Sequence, residues 1–242
     1  MNNEELSPND IKFVKLISST EPSSELRFNN IIDAQDLIAF CARVSNPANQ
    51  YNTETSENLI NYLIKHKHWS PLEMVDVTVE IETVRDIGRQ LLRHRSFVFQ
   101  EFSGRYSDPT KELSMTPREA RLQDTKNRQN SIDLDLNNEH HRELAKEWLR
   151  KQQEVIRLTR STYEWAINNG LAKEVARAVL PEGITGSRMY MKGSIRSWIH
   201  FISVRTDEST QKEHREIALA IAYVIAKIFP LSVKFIEQGK VG

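Results

Sequence analysis

The sequence predicts an α+β fold in which a small, mostly antiparallel sheet is flanked by several helices. Apolar residues recur three and four positions apart over several stretches, which is the period of an amphipathic helix, whereas residues 74–81 alternate apolar and polar side chains as a half-buried strand does. The chain has 242 residues, which is long enough for one sizeable core and short for two ordinary domains. We therefore expect a single domain spanning residues 1–242.

The same patterns place each element along the chain. In order, we predict a strand at 11–17, helices at 34–44 and 54–67, the strand at 74–81, a helix starting at residue 85, extended chain at 96–102, helices at 142–168 and 171–180, extended chain at 185–192, and helices at 194–205 and 213–229. Asp33 is a suitable N-cap for the first helix, and Asn168-Asn169-Gly170 is a suitable stop for the longest one.

Two polar segments are expected to contribute little to the core. Residues 1–10 should be ordered only where they dock. Residues 109–141 are poor in large apolar side chains, and we predict that they form a surface excursion. The core should instead be built from the apolar positions of the regular elements: Leu37, Ile38 and Cys41; Leu59, Tyr62 and Leu63; Val75, Val77, Val79 and Ile81; and Ile217, Ala220, Ile221 and Val224.

The composition excludes several classes of protein. Lys plus Arg equals Asp plus Glu at 33 each, so no overall positive field draws the chain onto nucleic acid or an anionic membrane. The single cysteine, Cys41, excludes an internal disulfide framework and fits a reducing compartment. His66 and His68 alternate without a third ligand nearby, so we predict no metal site. With no signal peptide and no apolar run of bilayer length, the expected location is the cytoplasm.

Residues 85–108, RDIGRQLLRHRSFVFQEFSGRYSD, form the segment that points to function. The segment begins in helical register and turns to extended chain after Arg93-His94-Arg95, which places this basic triplet at the end of an element. Glu101 and Ser103-Gly104-Arg105 follow within a short stretch. A carboxylate, a hydroxyl, a residue that permits close backbone approach and a guanidinium together are typical of an anion or nucleotide pocket.

A simpler interpretation of the same segment stays open. Arginines on a helix face are usually solvated or paired with nearby acids, and Asp86 and Glu101 are available for that here. In that case the basic face would have no ligand.

The spacing of the motif resembles the signature of the flavin-dependent thymidylate synthases. In that signature, a triplet such as Arg93-His94-Arg95 is followed after seven residues by a serine, here Ser103, and then by Gly104-Arg105-Tyr106-Ser107. Gln90 and Glu101 also match the family, whereas Gln100 stands where the family usually has Asn.

Three further segments resemble the same family in the family's order. His68, Ser70 and Glu73 match a segment of the flavin site, with Met74 in place of its final histidine; Glu174 and Arg177 match a helical segment before Pro181; and Arg196, His200 and Arg205 match a later helix, with Ser194 where many members have Asn. Without the resemblance, Ser70-Pro71 would simply shape a turn, and Glu174 with Arg177 would be a weak helical ion pair.

The resemblance implies a thymidylate synthase that makes dTMP from dUMP. The carbon donor would be 5,10-methylenetetrahydrofolate, FAD reduced by NADPH would supply the hydride, and no enzyme nucleophile would be needed. The family builds its flavin sites across the subunits of a homotetramer. FAD is implied by the resemblance alone, because the glycines fit no G-x-G-x-x-G pattern.

The resemblance also implies a role for each matched residue. The cofactor-binding residues would be His68, Ser70, Glu73, Arg93, His94, Arg95, Glu101, Ser194, Arg196 and His200, and the substrate-binding residues would be Gln90, Arg93, Glu101, Ser103, Gly104, Arg105, Arg177 and Arg205.

Physical chemistry refines three of these roles. Arg105 and the backbone amides near Ser103 suit a phosphate, and a fixed cation at Arg205 suits a uracil ring that becomes electron-rich, so Arg205 is the expected catalytic residue. Ser103 is expected to act as a hydrogen-bond ligand instead of a nucleophile, because no general base adjoins it in the sequence. Cys41 lies in an apolar helix without a nearby histidine, so we do not expect it to attack the base.

Two competing hypotheses come from other classes. The first is a nucleic-acid-binding module that uses the Arg85, Arg89, Arg93 and Arg95 face, although the neutral net charge disfavours it. The second is a structural oligomer that has lost its chemistry, which the substitutions at Gln100, Met74 and Ser194 would allow.

Overall fold

The structure, a computed structural model, describes residues 13–238. Its strands are β1 (Val14–Ser19), β2 (Asp76–Val84), β3 (Val98–Glu101), β4 (Arg121–Gln123), β5 (Ser131–Asp133) and β6 (Gly186–Ser194). Its helices are α1 (Ser24–Phe28), α2 (Ala34–Ala42), α3 (Ser56–Lys65), α4 (Arg85–Leu91), α5 (Pro109–Glu112), α6 (Glu139–Asn168), α7 (Lys173–Ala176), α8 (Ile195–Arg205), α9 (Lys212–Ala226) and α10 (Lys234–Gln238). Residues 1–10 and the first two residues of the strand predicted at 11–17 lie outside the described residues.

Four strands form an antiparallel sheet in the order β1-β2-β6-β3, which confirms the predicted α+β class. The longest pairing joins β2 to β6 through nine residue pairs, from Asp76 with Ser194 to Val84 with Gly186. Each of these strands continues directly into a helix, β2 into α4 and β6 into α8. Because the strands are antiparallel, the two helices start at opposite ends of the sheet.

The core lies between the sheet and helices α8 and α9. Val77, Val79 and Ile81 of β2 have no exposed surface, as their alternation predicts. Trp198 of α8 is also fully buried, and its indole Nε1 donates a hydrogen bond to the Val77 carbonyl oxygen over 3.1 Å. In α9, which covers most of the helix predicted at 213–229, the four positions predicted to face inward are all buried, namely Ile217, Ala220, Ile221 and Val224.

Two of the predicted helix boundaries coincide with capping residues, whereas α6 begins at Glu139, after its N-cap Asn138, and not at residue 142. The Asp33 carboxylate accepts a hydrogen bond from the Asp36 amide, 2.8 Å away, and starts α2. Helix α6 ends at Asn168, and Gly170 follows at φ 79°, a left-handed conformation that glycine adopts at little cost. Residues 109–141 contain α5, the β4–β5 hairpin and the first residues of α6, and most of their side chains are exposed or half-buried, with Pro109 and Met115 as the buried exceptions.

Two sequence predictions were wrong in detail. The helix predicted at 171–180 is only α7 followed by a 3-10 turn, Arg177–Val179, because Pro181 forces the preceding residue, Leu180, into an extended conformation. In α3 the buried stripe runs through Ser56, Ile60 and Leu63, so Tyr62, predicted to face inward, lies at the surface beside the ring of His66.

Among residues 13–238, no helix combines the length and the apolar character that crossing a membrane requires.

We expect Gly193→Ala to lower the free energy of unfolding by about 1–3 kcal/mol, the usual cost of overpacking a core. A Cβ atom at this position of β6 would lie 2.5 Å from the Phe97 ring, which itself packs on Trp198. Urea denaturation followed by circular dichroism measures the change. Gly183→Ala is the matched control, because its added Cβ has no neighbour closer than 3.9 Å, and an equal loss in both variants would contradict the packing argument.

Candidate functional site

Predicted site residues from separate parts of the chain meet in three places, which we call the cavity cluster, the phosphate turn and the arginine–histidine cluster. The cavity cluster consists of Glu73, Lys192, Ser194, Arg196 and His200. The phosphate turn consists of residues 103–106 with Arg177. The arginine–histidine cluster consists of Gln90, His94, Arg205 and His214.

The cavity cluster lines an opening of about 900 Å³ beside the start of α8. Ser194 caps α8 by accepting from the Ser197 amide, which directs the next turns of the helix, with Arg196 and His200, along the cavity. Arg196 forms an ion pair with Glu73 across the opening. Of the ten predicted cofactor-binding residues, the cavity gathers Glu73, Ser194, Arg196 and His200. Trp69 and Lys192 also line it, although the motif did not indicate either of them.

The other predicted cofactor residues lie outside this cavity. His68, Ser70, Arg93 and Arg95 are exposed side chains. His94 and Glu101 point into other clusters of the same chain, through the contacts given below.

The phosphate turn brings together Ser103, Gly104, Arg105 and Arg177, as the sequence predicts. The turn is closed by the Tyr106 amide, which donates to the Ser103 carbonyl oxygen over 3.1 Å. A Cβ at Gly104 would meet the Arg177 side chain at 3.8 Å, so this arginine packs directly against the turn. That distance is an ordinary contact, and none of the residues 13–238 approaches closely enough to require a glycine at position 104.

The ion pair at the phosphate turn differs from the one that helical spacing suggests. Glu174 lies 3.5 Å from the Arg105 guanidinium, and no ion pair joins it to Arg177 among the described residues. Both partners expose about 60% of their side chains, at 61% and 58%. Such an exposed pair contributes little and leaves Arg105 free to exchange its carboxylate for another anion.

Glu101 is held by its own chain. Its carboxylate accepts a hydrogen bond from the Ser187 hydroxyl over 2.8 Å and lies 3.6 Å from Arg89. Arg89 and Arg85 also approach Glu182, at 3.5 and 4.0 Å. Half of the basic face that could have served a nucleic-acid-binding module is therefore paired with carboxylates, although Asp86, the other predicted partner, binds Arg118 instead.

The arginine–histidine cluster forms where the ends of α4 and α8 meet the start of α9. Arg205 Nε donates to His94 Nε2 over 2.9 Å. Burial, together with the nearby charges of Arg205 and His200, lowers the pKa of His94 to about 4. His94 is therefore neutral at physiological pH and accepts this hydrogen bond, which fixes Arg205 without neutralising it.

His214 is the residue of this cluster that sequence reasoning missed. Its ring has no exposed surface, and burial, Arg205 and His94 lower its pKa to about 3. The apolar periodicity of α9 could have predicted this burial. His214 precedes Ile217, Ala218 and Ile221 on the same helix face, which packs into the core.

Comparison with known proteins identifies what this arrangement is similar to. Residues 28–231 match the family described as "Thymidylate synthase complementing protein". The chain is 48% identical to the flavin-dependent thymidylate synthase of a Synechocystis strain, over 93% of this chain and 99% of the relative. It is 43% identical to the probable flavin-dependent thymidylate synthase of Paramecium bursaria Chlorella virus 1, over 92% and 98% of the two chains.

The fold also matches that of a solved structure. A UMP/dUMP methylase from Streptomyces cacaoi, solved with bound 5-Br UMP, superposes with a TM-score of 0.73 over 94% of each chain, at 23% identity.

The two buried histidines should make stability depend on pH. Their pKa values are lower in the folded than in the unfolded protein, so the unfolded chain binds more protons as the pH falls below about 6.5. The stabilisation is complete above that pH and is lost toward pH 4, by at most about 1.4 kcal/mol per pH unit for each histidine. Urea denaturation at pH 7.0, 6.0 and 5.0 measures this slope, which should be shallower in His214→Asn than in the exposed control His140→Asn. Equal slopes would contradict the assignment.

Proposed function

The chain belongs to the family of flavin-dependent thymidylate synthases and makes dTMP from dUMP, and we propose that the three clusters divide the work of binding and orientation. The cavity cluster binds FAD, the phosphate turn binds the dUMP phosphate, and Arg205 binds the uracil ring. The observation that carries this proposal is the convergence of four predicted cofactor residues on one cavity, with predicted nucleotide residues gathered separately.

The cavity cluster has the chemistry that FAD requires. A volume of about 900 Å³ lies near the upper end of the usual range for small-molecule sites, about 300–1,000 Å³. Arg196 and Lys192 provide cations for a diphosphate, and Trp69 provides a flat apolar surface for a ring system. When bound and reduced by NADPH, FAD supplies the hydride that completes the new methyl group, whose carbon comes from 5,10-methylenetetrahydrofolate.

The phosphate turn suits a phosphate dianion for electrostatic reasons. Two guanidinium groups, of Arg105 and Arg177, border a turn whose serine hydroxyl is also available. The two guanidinium groups offer a phosphate dianion several directed donors, whereas the Glu174 carboxylate has a single charge and pairs with Arg105 alone. A nucleotide phosphate therefore displaces Glu174 from Arg105.

Arg205 is suited to stabilise negative charge on the pyrimidine. Its Nε is held by a neutral imidazole, so its positive charge is retained and its terminal nitrogens remain for a uracil oxygen. A preorganised cation at this point lowers the free energy of the state in which the ring becomes electron-rich. Ser103 acts as a hydrogen-bond ligand within the phosphate turn.

No residue of the chain is needed as a nucleophile. Burial raises the pKa of the Cys41 thiol, which keeps it protonated within α2. The protein accordingly orients three ligands instead of forming a covalent bond to the base.

A homotetramer would complete the flavin site. Several predicted cofactor residues, such as His68 and Arg95, are exposed and away from the cavity of their own chain. Helix α6 in addition exposes a stripe of Leu144, Trp148, Val155, Leu158 and Trp165, whose spacing of four, seven, three and seven places them on one helix face. Exposed apolar stripes of this kind favour association with another copy of the chain.

A visible absorption titration tests the proposal directly. FAD is added to the purified protein, and dUMP is then added to the complex. We expect a bound flavin spectrum that dUMP perturbs, followed by formation of dTMP when methylenetetrahydrofolate and NADPH are supplied. A protein that binds no flavin under these conditions would rule out the cavity assignment.

Arg105→Ala and Arg205→Ala should each raise the dUMP dissociation constant about 10- to 100-fold, because a charge-assisted hydrogen bond contributes about 1.5–3 kcal/mol. Flavin binding should be retained in both, as neither residue lines the cavity. Arg27→Ala is the matched control, since Arg27 is an exposed arginine of α1 paired with Glu21. Unchanged dUMP affinity in both site variants would refute the nucleotide assignment.

Leu158→Glu should reduce the mass of the assembly measured by light scattering, because it places a charge in the middle of the exposed stripe. Flavin binding should weaken with it if the site is shared between subunits. Glu154→Gln, a neighbouring polar change on α6, is the control, and an unchanged mass in Leu158→Glu would exclude α6 as a contact between copies.

A further inference from the structure

The imidazole of His214 has one bound and one unbound nitrogen in the interior of the protein. Its Nδ1 lies 3.1 Å from the side-chain oxygen of Gln90, the residue of α4 that the sequence leads us to expect in the substrate site. Its Nε2 is buried and has no hydrogen-bond partner among the described residues. His214 is fully buried, and its side-chain hydrogen-bond contact among the described residues is with Gln90.

A carboxylate determines which atoms donate in this contact. Glu213 is ionised: burial would raise its pKa, but hydrogen bonds from its own amide, Gln211 and Arg121 outweigh burial and lower the pKa. A carboxylate only accepts, so the Gln211 amide nitrogen must face it, and does so at 2.9 Å. The Gln211 oxygen therefore faces Gln90 and accepts from its amide nitrogen over 2.7 Å.

The same logic settles the protonation of His214. With its nitrogen directed at Gln211, Gln90 must present its oxygen to His214. The contact at 3.1 Å is a hydrogen bond only if Nδ1 carries the proton, and the neutral ring then leaves Nε2 as the bare nitrogen. The three contacts that lead from Glu213 through Gln211 and Gln90 to His214 thus have one consistent assignment of donors and acceptors.

The network closes on the helix where it begins. Arg118 lies 3.5 Å from Glu213 and donates to both oxygens of Asp86, each over 2.9 Å. Asp86 and Gln90 are four residues apart on one face of α4. The ion pairs of Arg118 with Asp86 and Glu213 therefore fix one side of this network, and His214 holds the Gln90 carboxamide from the core.

We propose that His214 is a positioning residue for dUMP binding, which holds the Gln90 carboxamide in one of its two flipped orientations by donating Nδ1–H to its oxygen. A glutamine free to flip would offer a ligand a donor and an acceptor interchangeably, whereas the clamped side chain presents one fixed pattern. This inference rests on the proposed function and on the expectation from the sequence that Gln90 binds dUMP.

Two substitutions separate hydrogen bonding from packing. His214→Leu fills a similar volume but removes the donor, and His214→Asn keeps a donor near the position of Nδ1. We expect the dUMP dissociation constant to rise about tenfold in His214→Leu and to stay within about threefold of wild type in His214→Asn. The amount of FAD bound at saturation should not change, because His214 does not line the cavity. Equal losses in the two variants would overturn the proposal.

A double-mutant cycle tests whether His214 acts through Gln90. In a Gln90→Ala background, His214→Leu should have no further effect on dUMP affinity, since the group that it orients is gone. A full tenfold loss in that background would show a general structural effect and overturn the proposal. If His214→Leu does not fold, Gln211→Leu removes the other hydrogen-bond partner of the Gln90 carboxamide, at a partly exposed position. The dUMP dissociation constant should again rise about tenfold, and this effect should again disappear in the Gln90→Ala background.

The protonation state can be measured without any ligand. Nitrogen-15 spectra of histidine-labelled wild-type protein should show His214 with a protonated Nδ1 and a bare Nε2, identified by the loss of its signals in His214→Asn. The opposite tautomer would overturn the clamp even if dUMP binds. Failure of wild-type protein to bind dUMP would instead overturn the proposed function, and with it the role of the clamp, so the two failures are distinguishable.

Discussion

The pairing of β2 with β6 is the constraint on which the site depends. Each strand continues without a break into a helix, so the nine-residue register fixes where α4 and α8 begin. The helices start at opposite ends of the sheet, and the C-terminal end of α8 reaches the end of α4, where Arg205 meets His94. A register slip of one residue would turn Val77, Val79 and Ile81 away from the core and separate these helices.

A neutral histidine, His94, holds Arg205 by a hydrogen bond without cancelling its positive charge. A carboxylate beside Arg205 would have fixed it equally well, but would have reduced the positive charge that an electron-rich ring needs. Burial makes both His94 and His214 poor bases, so each remains a polar neutral group. The ion pairs of this region, Asp86 with Arg118 and Glu213 with Arg121, involve none of the residues proposed to bind the nucleotide.

The predicted cofactor-binding residues are divided between the cavity and the exposed surface of a single chain. The cavity contains Arg196 and His200, while Arg93, Arg95 and His68 face outward. The exposed apolar stripe of α6 gives the same indication from a different element, because solvent-exposed tryptophan and leucine side chains on one helix face are stabilised by a partner. In the proposed homotetramer, the binding of FAD and the association of subunits are coupled.

Local patterns in the sequence determined the elements and the chemistry they carry. The alternation at 74–81, the Asp33 cap and the buried face of α9 are short-range properties, and they were predicted correctly, as was the family from the spacing of Arg93-His94-Arg95 and Ser103. Errors arose where packing against distant elements decided the outcome, as for Tyr62, which was predicted to face inward and is exposed.

Only the tertiary structure decided which of these groups meet. Gln90 contacts Gln211 and His214, and His94 contacts Arg205, across more than a hundred residues of chain, and Glu174 pairs with Arg105 in preference to its helical neighbour. Periodicity tells which face of a helix is buried but not which helix covers it. Those contacts are set by the register of β2 with β6 and by the packing of α8 and α9 on the sheet, which no single segment encodes.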